Sequence, residues 1–215
     1  MKRQSARMDA VDSPIIPTIA KLVREHPGTI SLGQGVVNYG PPAQAVAELP
    51  NLMADGQLNK YQAVGGIAPL VDRFRQKLAD ENHVHCGTES IVMVTAGSNM
   101  AFLNAVLAVA DPGDEFILPM PYYFNQEMAI RMAGCVPVPV PTRSDWGLDV
   151  DALASAVTPR TRAIITVTPN NPTGAVYSEE DLRAVNALCA QHGLYHFCDE
   201  AYEYFTFDVA RHFSP

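Results

Sequence analysis

Ala163-Ile164-Ile165-Thr166-Val167 runs into Thr168-Pro169-Asn170-Asn171-Pro172-Thr173-Gly174, and Ser178-Glu179-Glu180-Asp181-Leu182 follows. The first run is apolar and largely β-branched, as a buried strand requires. The last is a helix signal. Between them, two prolines remove backbone donors and push the residues before them towards extended geometry. The loop is therefore stiff, and it presents two neutral amide side chains at the carboxyl end of a strand. Taken alone, a turn between strand and helix accounts for it. What changes the reading is Asp199-Glu200-Ala201-Tyr202, which ends the next strand, Leu194 to Cys198. Asn171 and Asp199 are 28 residues apart with one helix between them, the length of one β-α-β crossover.

Working outward, the same alternation extends back to about residue 90. Strands are expected at 91–95, 115–118, 136–140 and 162–168, and helices at 100–110, 124–133, 149–157 and 178–192. Pro137 and Pro139 make the third of these strands irregular or an edge. Gly134 and Gly193 close the helices before them. Before residue 90 the reading is a helix opened by Ser13-Pro14 with Ile15, Ile16, Ile19, Leu22 and Val23 on one face. A short strand, Thr29-Ile30-Ser31-Leu32, comes next. Helices over 42–53 and 67–82 flank a loop at Tyr61-Gln62-Ala63-Val64-Gly65-Gly66. The two glycines of Gly33-Gln34-Gly35 suit either close approach of backbone to a ligand or a plain turn. The fold class is α/β, a mostly parallel sheet with helices on both faces. Residues 1–41 read as an N-terminal arm or small-domain segment, and 42–215 as part of a large domain.

The composition narrows the function. Of 215 residues, 47% are apolar and 18% charged, enough for a substantial core and against general disorder. A net charge of −8 argues against a nucleic-acid partner. No apolar run approaches the roughly 18 residues of a membrane span, so no membrane partner is expected. The basic start, Met1-Lys2-Arg3, leads into no apolar segment and carries no secretory signal. Cys86, Cys135, Cys189 and Cys198 are scattered without metal-ligand spacing, which points to a reducing cytoplasm, to no metal, and to a packing role for Cys198.

Ligands of such sheets sit outside the carboxyl ends of the strands. Four loops lie there, each with a different chemistry. Gly97-Ser98-Asn99 precedes a helix N-terminus, where free N–H groups and the Ser98 hydroxyl suit a phosphate. Tyr123 offers a flat aromatic face. Asn171 can donate to an anionic or phenolic oxygen. Asp199, ending an apolar strand, needs a cationic or N–H partner, and Tyr202 adds a hydroxyl. Together they describe a flat heteroaromatic phosphate ester with a protonatable ring nitrogen and a ring oxygen. Pyridoxal 5′-phosphate meets all four requirements. No G-x-G-x-x-G fingerprint and no Walker A sequence competes with it.

At this point the chain resembles the fold-type I pyridoxal-phosphate enzymes, specifically the class I/II aminotransferases of the aspartate, aromatic and kynurenine branch. The resemblance rests on Leu32-Gly33-Gln34-Gly35-Val36, Tyr61 with Gly66-Ile67 and Leu70, Val94-Thr95-Ala96-Gly97-Ser98, Asp111-Pro112-Gly113-Asp114-Glu115, Pro121-Tyr122-Tyr123, Asn170-Asn171-Pro172-Thr173-Gly174 and Asp199-Glu200-Ala201-Tyr202. It implies pyridoxal 5′-phosphate as cofactor, and amino acid and 2-oxo acid substrates. Gly97, Ser98 and Asn99 would hold the phosphate, and Tyr123 would stack on the ring. Asn171 and Tyr202 would bond the ring 3-oxygen, and Asp199 would pair with the ring nitrogen. Gly35 would approach the substrate carboxylate, and Tyr61 would reach the cofactor of the partner subunit in a homodimer.

One required part is not in the sequence. The resemblance places the Schiff-base lysine roughly 30 or more residues after Asp199, but only 16 residues follow it and none is Lys. Lys2, Lys21, Lys60 and Lys77 stand at other positions, so no catalytic residue is assigned. The expectation is the N-terminal half of an aminotransferase. A truncated coding sequence, a split enzyme or a lysine-free protein would each produce it. A lyase or decarboxylase on the same scaffold, or a non-catalytic cofactor-binding remnant, is the competing function.

Overall fold

The computed structural model describes residues 4–11, 15–31, 37 and 39–215. A 3-10 turn (Ala6–Ala10) precedes α1 (Ile15–Glu25), α2 (Ala43–Ala54) and α3 (Ala68–Asp80). Helix α4 (Ser98–Val109) then opens a regular alternation: β1 (Glu115–Met120), α5 (Phe124–Met132), β2 (Val136–Pro141), α6 (Val150–Ser155), β3 (Thr161–Val167), α7 (Glu179–His192) and β4 (Tyr195–Asp199).

The four strands form one parallel sheet in the order β2-β1-β3-β4. The central pair, β1 and β3, is almost wholly buried, and β2, with its prolines, lies at an edge as the sequence predicts. Side chains alternate between the faces. Phe116 and Leu118 of β1 join Ala163 and Ile165 of β3 in a core closed by Val106 of α4 and Ile130 of α5. Ile117 and Ile164 point the other way, into a core with Leu153 of α6 and Leu182, Val185 and Leu188 of α7. The register agrees, since Phe116 stands opposite Ala163 and Ile117 opposite Ile164. Helices therefore cover both faces, confirming the α/β class.

The helix ends follow local chemistry. Asp149 accepts the Ala152 N–H at 2.9 Å to start α6, and Ser178 accepts that of Asp181 at 3.0 Å to start α7. Gly193, at φ +65°, ends α7 in the left-handed conformation that glycine adopts without strain.

Two predicted strands are corrected. Ile91-Val92-Met93-Val94-Thr95 is not a strand. Its one backbone bond outside its own neighbourhood runs from Val94 N–H to Gly65 O (2.9 Å), and Ile91 is 83% exposed. Residues 29–31 likewise pair with no strand among the described residues, with Ile30 exposed, while Leu32 is outside the described residues. Apolar, β-branched composition gives a segment the tendency to extend, but a strand exists only where a second strand accepts its hydrogen bonds. Helix α4 begins two residues earlier than predicted, directly after Gly97. The Ser13-Pro14 start of α1 and the Gly33-Gln34-Gly35 turn fall outside the described residues. No described helix is long and apolar enough to cross a membrane.

Candidate active site

Strands β3 and β4 pair in register to their carboxyl ends, with Val167 opposite Asp199. Thr168 N–H then donates to Asp199 O at 3.0 Å, so the Asn170-Asn171 loop and the Asp199 loop leave the sheet side by side. The two neighbouring asparagines have different tasks. Asn170 is buried; its Oδ1 accepts from Thr173 N–H (3.1 Å) and Thr173 Oγ1 (2.8 Å), and its Nδ2 donates to Tyr177 Oη and Pro121 O. Its capacity is used within the loop and across to the loop after β1. Burial pushes the Tyr177 phenol up to about 12, which keeps it a neutral partner. The Asn171 side chain makes no hydrogen bond among the described residues.

Helix α4 aims its N-terminus at the same place. Gly97 has φ +91°, and the first helical bond runs from Ala101 N–H to Gly97 O. The N–H groups of Ser98, Asn99 and Met100 therefore have no helical acceptor. Ser98, Ala101, Phe102 and Ala105 of α4, with Ile165, Phe197, Cys198, Asp199, Glu200 and Ala201, line a pocket of about 390 Å³. Ser98 and Asp199, from opposite ends of the sequence pattern, thus share one cavity. No Lys or Arg lines it, so an anion there would be met by helix-terminal N–H groups.

Of the predicted residues, only Ser98 and Asp199 line this cavity; Gly97, Asn99, Tyr123, Asn171, Tyr202 and Tyr61 are outside its lining. Tyr123 caps the start of α5, accepts from Asn125 Nδ2 (2.6 Å), and packs edge-on to Phe124 at 5.2 Å. Tyr202 is partly exposed and packs edge-on to Phe205. Tyr61 is fully exposed, beside Asn59 and Lys60 and away from the pocket. Gly35 is outside the described residues. Of the lysines, Lys60 bonds Gln57 and Lys77 bonds Glu203, Lys21 is exposed on α1, and none of these three lines the pocket.

Asp199 finds N–H partners, as its position demands, though both are neutral. Ala201 N–H reaches Oδ1 at 3.1 Å, and Gln126 Nε2 reaches Oδ2 at 2.9 Å. Sequence reasoning missed Gln126. It reads as an ordinary polar helix residue, and the available signal was its place three residues after Tyr123, in the first turn of a helix leaving the same sheet edge. Next to Asp199, the Cys198 thiol is raised far above its ordinary value by burial, which makes it inert.

A wider groove of about 680 Å³ lies past β1 and β2, lined by Met120, Tyr122, Arg143 and Trp146 among others. It contains none of the predicted residues. Arg143, its one charged lining residue, is committed to Asp181 and to Leu148 O. The smaller pocket is where the sheet, the helix terminus and the carboxylate converge.

The family described as Aminotransferase class I and II matches residues 27–214. The chain belongs to this family. Among its relatives, the aromatic aminotransferase ISS1 of Arabidopsis thaliana is 35% identical over 97% of this chain and 53% of that protein. Kynurenine–oxoglutarate transaminase 3 of Bos taurus is 33% identical over 99% of the chain and 49% of its own length. The solved N-succinyldiaminopimelate aminotransferase from Mycobacterium tuberculosis superposes with a TM-score of 0.90 at 34% identity, covering 98% of this chain and 55% of that one. The chain spans about half the length of the relatives it matches.

In this class I and II aminotransferase chain, a second polar cluster lies behind the site. Lys77 of α3 donates to Glu203 Oε2 and Asn82 Oδ1, both at 2.7 Å. Asn82 donates to Glu203 (2.8 Å) and Ser214 (2.9 Å), and Glu200 meets Ser214 and His212. Burial acts to raise the Glu203 carboxyl, but the Lys77 and Asn82 bonds outweigh it and hold it below its usual value. Glu200, Glu203 and His212 lie close enough to share an ion, yet Lys77 already supplies the compensating charge. The cluster fastens α3 to the chain following β4. Lys77→Met strands the Glu203 carboxylate, and an expected loss of about 2 kcal/mol is readable as a lower urea midpoint at unchanged m-value.

Proposed function

We propose that this chain forms the cofactor cradle of a pyridoxal-phosphate-dependent aminotransferase that moves an amino group between an amino acid and a 2-oxo acid. The observation that carries this reading is the meeting of Asp199 and the α4 N-terminus in one pocket. The donors fit the group: a carboxylate held by neutral N–H groups keeps its charge for a ring N–H, and an uncrowded helix start suits a phosphate. When bound, pyridoxal phosphate supplies an electron sink for bonds at the substrate's α-carbon.

In this reading Ser98, with the N–H groups of Ser98 and Asn99 and the turn set by Gly97, holds the phosphate. Asp199 keeps the proton on the ring nitrogen. Asn171, whose side chain is uncommitted, and Tyr202 bond the ring 3-oxygen, and Tyr123 covers a ring face. Gly35 serves the substrate carboxylate, and exposed Tyr61 reaches a second subunit's site, making the working form a homodimer. Residues 1–41 and 42–215 would then be the arm and the large-domain part, and the four free cysteines suit a cytoplasmic location. The lysine that would move the substrate proton is not among the residues lining this pocket.

Pyridoxamine 5′-phosphate needs no lysine to bind, and its fluorescence reports binding to this chain directly. Saturable binding is expected, weakened about 10- to 100-fold in Asp199→Ala, the loss of a charge-assisted hydrogen bond. With pyridoxal phosphate and borohydride, no single lysine should be labelled. Absence of pyridoxamine phosphate binding by the unmodified chain would overturn the reading.

A further inference from the structure

We propose that Gln126 is a positioning residue for Asp199: a neutral donor that fixes the carboxylate and leaves its charge entirely to the bound ring. This deepens the cofactor reading above and rests on it.

Gln126 is 2% exposed, in the first turn of α5, and its side chain reaches across to the end of β4. Nε2 donates to Asp199 Oδ2 at 2.9 Å, while Oε1 is buried with no partner among the described residues. Turning the amide over would set Oε1 against the carboxylate oxygen, two acceptors face to face, so the orientation is determined by Asp199. The chain thus keeps an amide in its interior with one end unsatisfied. An unsatisfied buried carbonyl opposes folding, and an apolar side chain of similar length would avoid it. Stability alone therefore does not account for a glutamine here.

What the amide achieves is geometric and electrostatic. Gln126 holds Oδ2 and Ala201 N–H holds Oδ1, so the carboxylate has one donor on each oxygen and cannot rotate freely. Each oxygen retains a lone pair for a ligand N–H. A cationic donor in the same place would neutralise Asp199 and compete with a protonated ring. An amide adds no charge and has no ionisation of its own.

The test uses this chain, with pyridoxamine 5′-phosphate and its 1-deaza analogue, in which C–H replaces the ring nitrogen. Gln126→Met should weaken pyridoxamine phosphate about tenfold and the deaza analogue less than twofold, with a urea midpoint no lower than that of the unmodified chain. Gln126→Glu places two carboxylates in contact. Its deficit relative to the unmodified chain should shrink as pH falls and the new carboxyl protonates into a donor. Equal affinities in Gln126→Met and the unmodified chain would overturn the inference and leave the cofactor reading standing. So would a lowered midpoint with both ligands weakened alike, the mark of a purely structural role. Failure of the unmodified chain to bind pyridoxamine phosphate would overturn the cofactor reading, and this inference with it.

Discussion

Phe116→Ala is expected to destabilise the fold by about 3–5 kcal/mol, the cost of emptying a fully buried aromatic site. Phe116 lies in the central strand β1 with no exposed surface. Its ring meets Phe197 of β4 edge-on at 6.1 Å, and Phe197 meets Phe102 of α4 at 6.0 Å. One side chain thus connects the sheet centre to the helix whose N-terminus opens the pocket. Phe197 and Phe102 both line that pocket, so the cavity left by the alanine would adjoin it. Urea denaturation should show the loss as a lower midpoint at constant m-value, and Phe116→Leu should recover much of it. A loss below about 1 kcal/mol would mean that this core is loosely packed.

The second large effect is a pH dependence carried by His196. Its Nε2 lies 2.8 Å from Thr166 Oγ1 and its Nδ1 2.7 Å from Asn186 Oδ1. Asn186 presents an acceptor, so Nδ1 carries the proton and Nε2 accepts from the threonine hydroxyl. Acceptance at Nε2 requires the neutral ring, whereas the Nδ1–H bond does not. Burial lowers the imidazole to about 4 from its ordinary 6.5. The folded pKa is depressed, so the unfolded chain takes up a proton first as pH falls. Stability is whole above about 6.5 and is lost progressively between 6.5 and 4. The full span is worth about 3 kcal/mol. His196→Gln removes this titration and leaves the carboxylates unchanged. The stability difference between the unmodified chain and His196→Gln should therefore narrow by about 2 kcal/mol from pH 7 to pH 4.5. A difference that stays constant over that interval would exclude a neutral, partly buried His196.

Much of the sheet was legible in the sequence because local patterns suffice for β1 to β4. Each is a short apolar run bounded by a turn signal, and Asp149 and Ser178 stand in place to cap α6 and α7. The pattern failed at Ile91–Thr95 and at residues 29–31 for one reason. Extended tendency is local, but strand pairing is a property of two segments. The site divides along the same line. Ser98 and Asp199, which share the pocket, were legible as candidates because each stands at the end of a strand or the start of a helix, where backbone geometry fixes what a side chain can meet. Gln126 had only its place after Tyr123 to mark it, because its bond to Asp199 is a tertiary contact 73 residues away. The distinction between Asn170 and Asn171 was equally hidden. Two identical side chains in succession differ only in what surrounds them, one closed into its own loop and the other left with open amide valences.

The strand order β2-β1-β3-β4 has a consequence for how the chain assembles. The β1-α5-β2 and β3-α7-β4 units each close over a single crossover between strands that are neighbours in sequence. The β1–β3 ladder joins these two units and is the longest-range pairing in the sheet. Loop closure must be met before such a contact is rewarded, so within the sheet this ladder is expected to form after the two units it joins. The same step brings Phe116 against Ala163 and Ile117 against Ile164, completing both cores at once. It also brings the loops after β1 and β3 together, where Asn170 reaches Pro121. Joining the two halves of the sheet and bringing these two loops together are therefore one event, and a chain halted before it has neither.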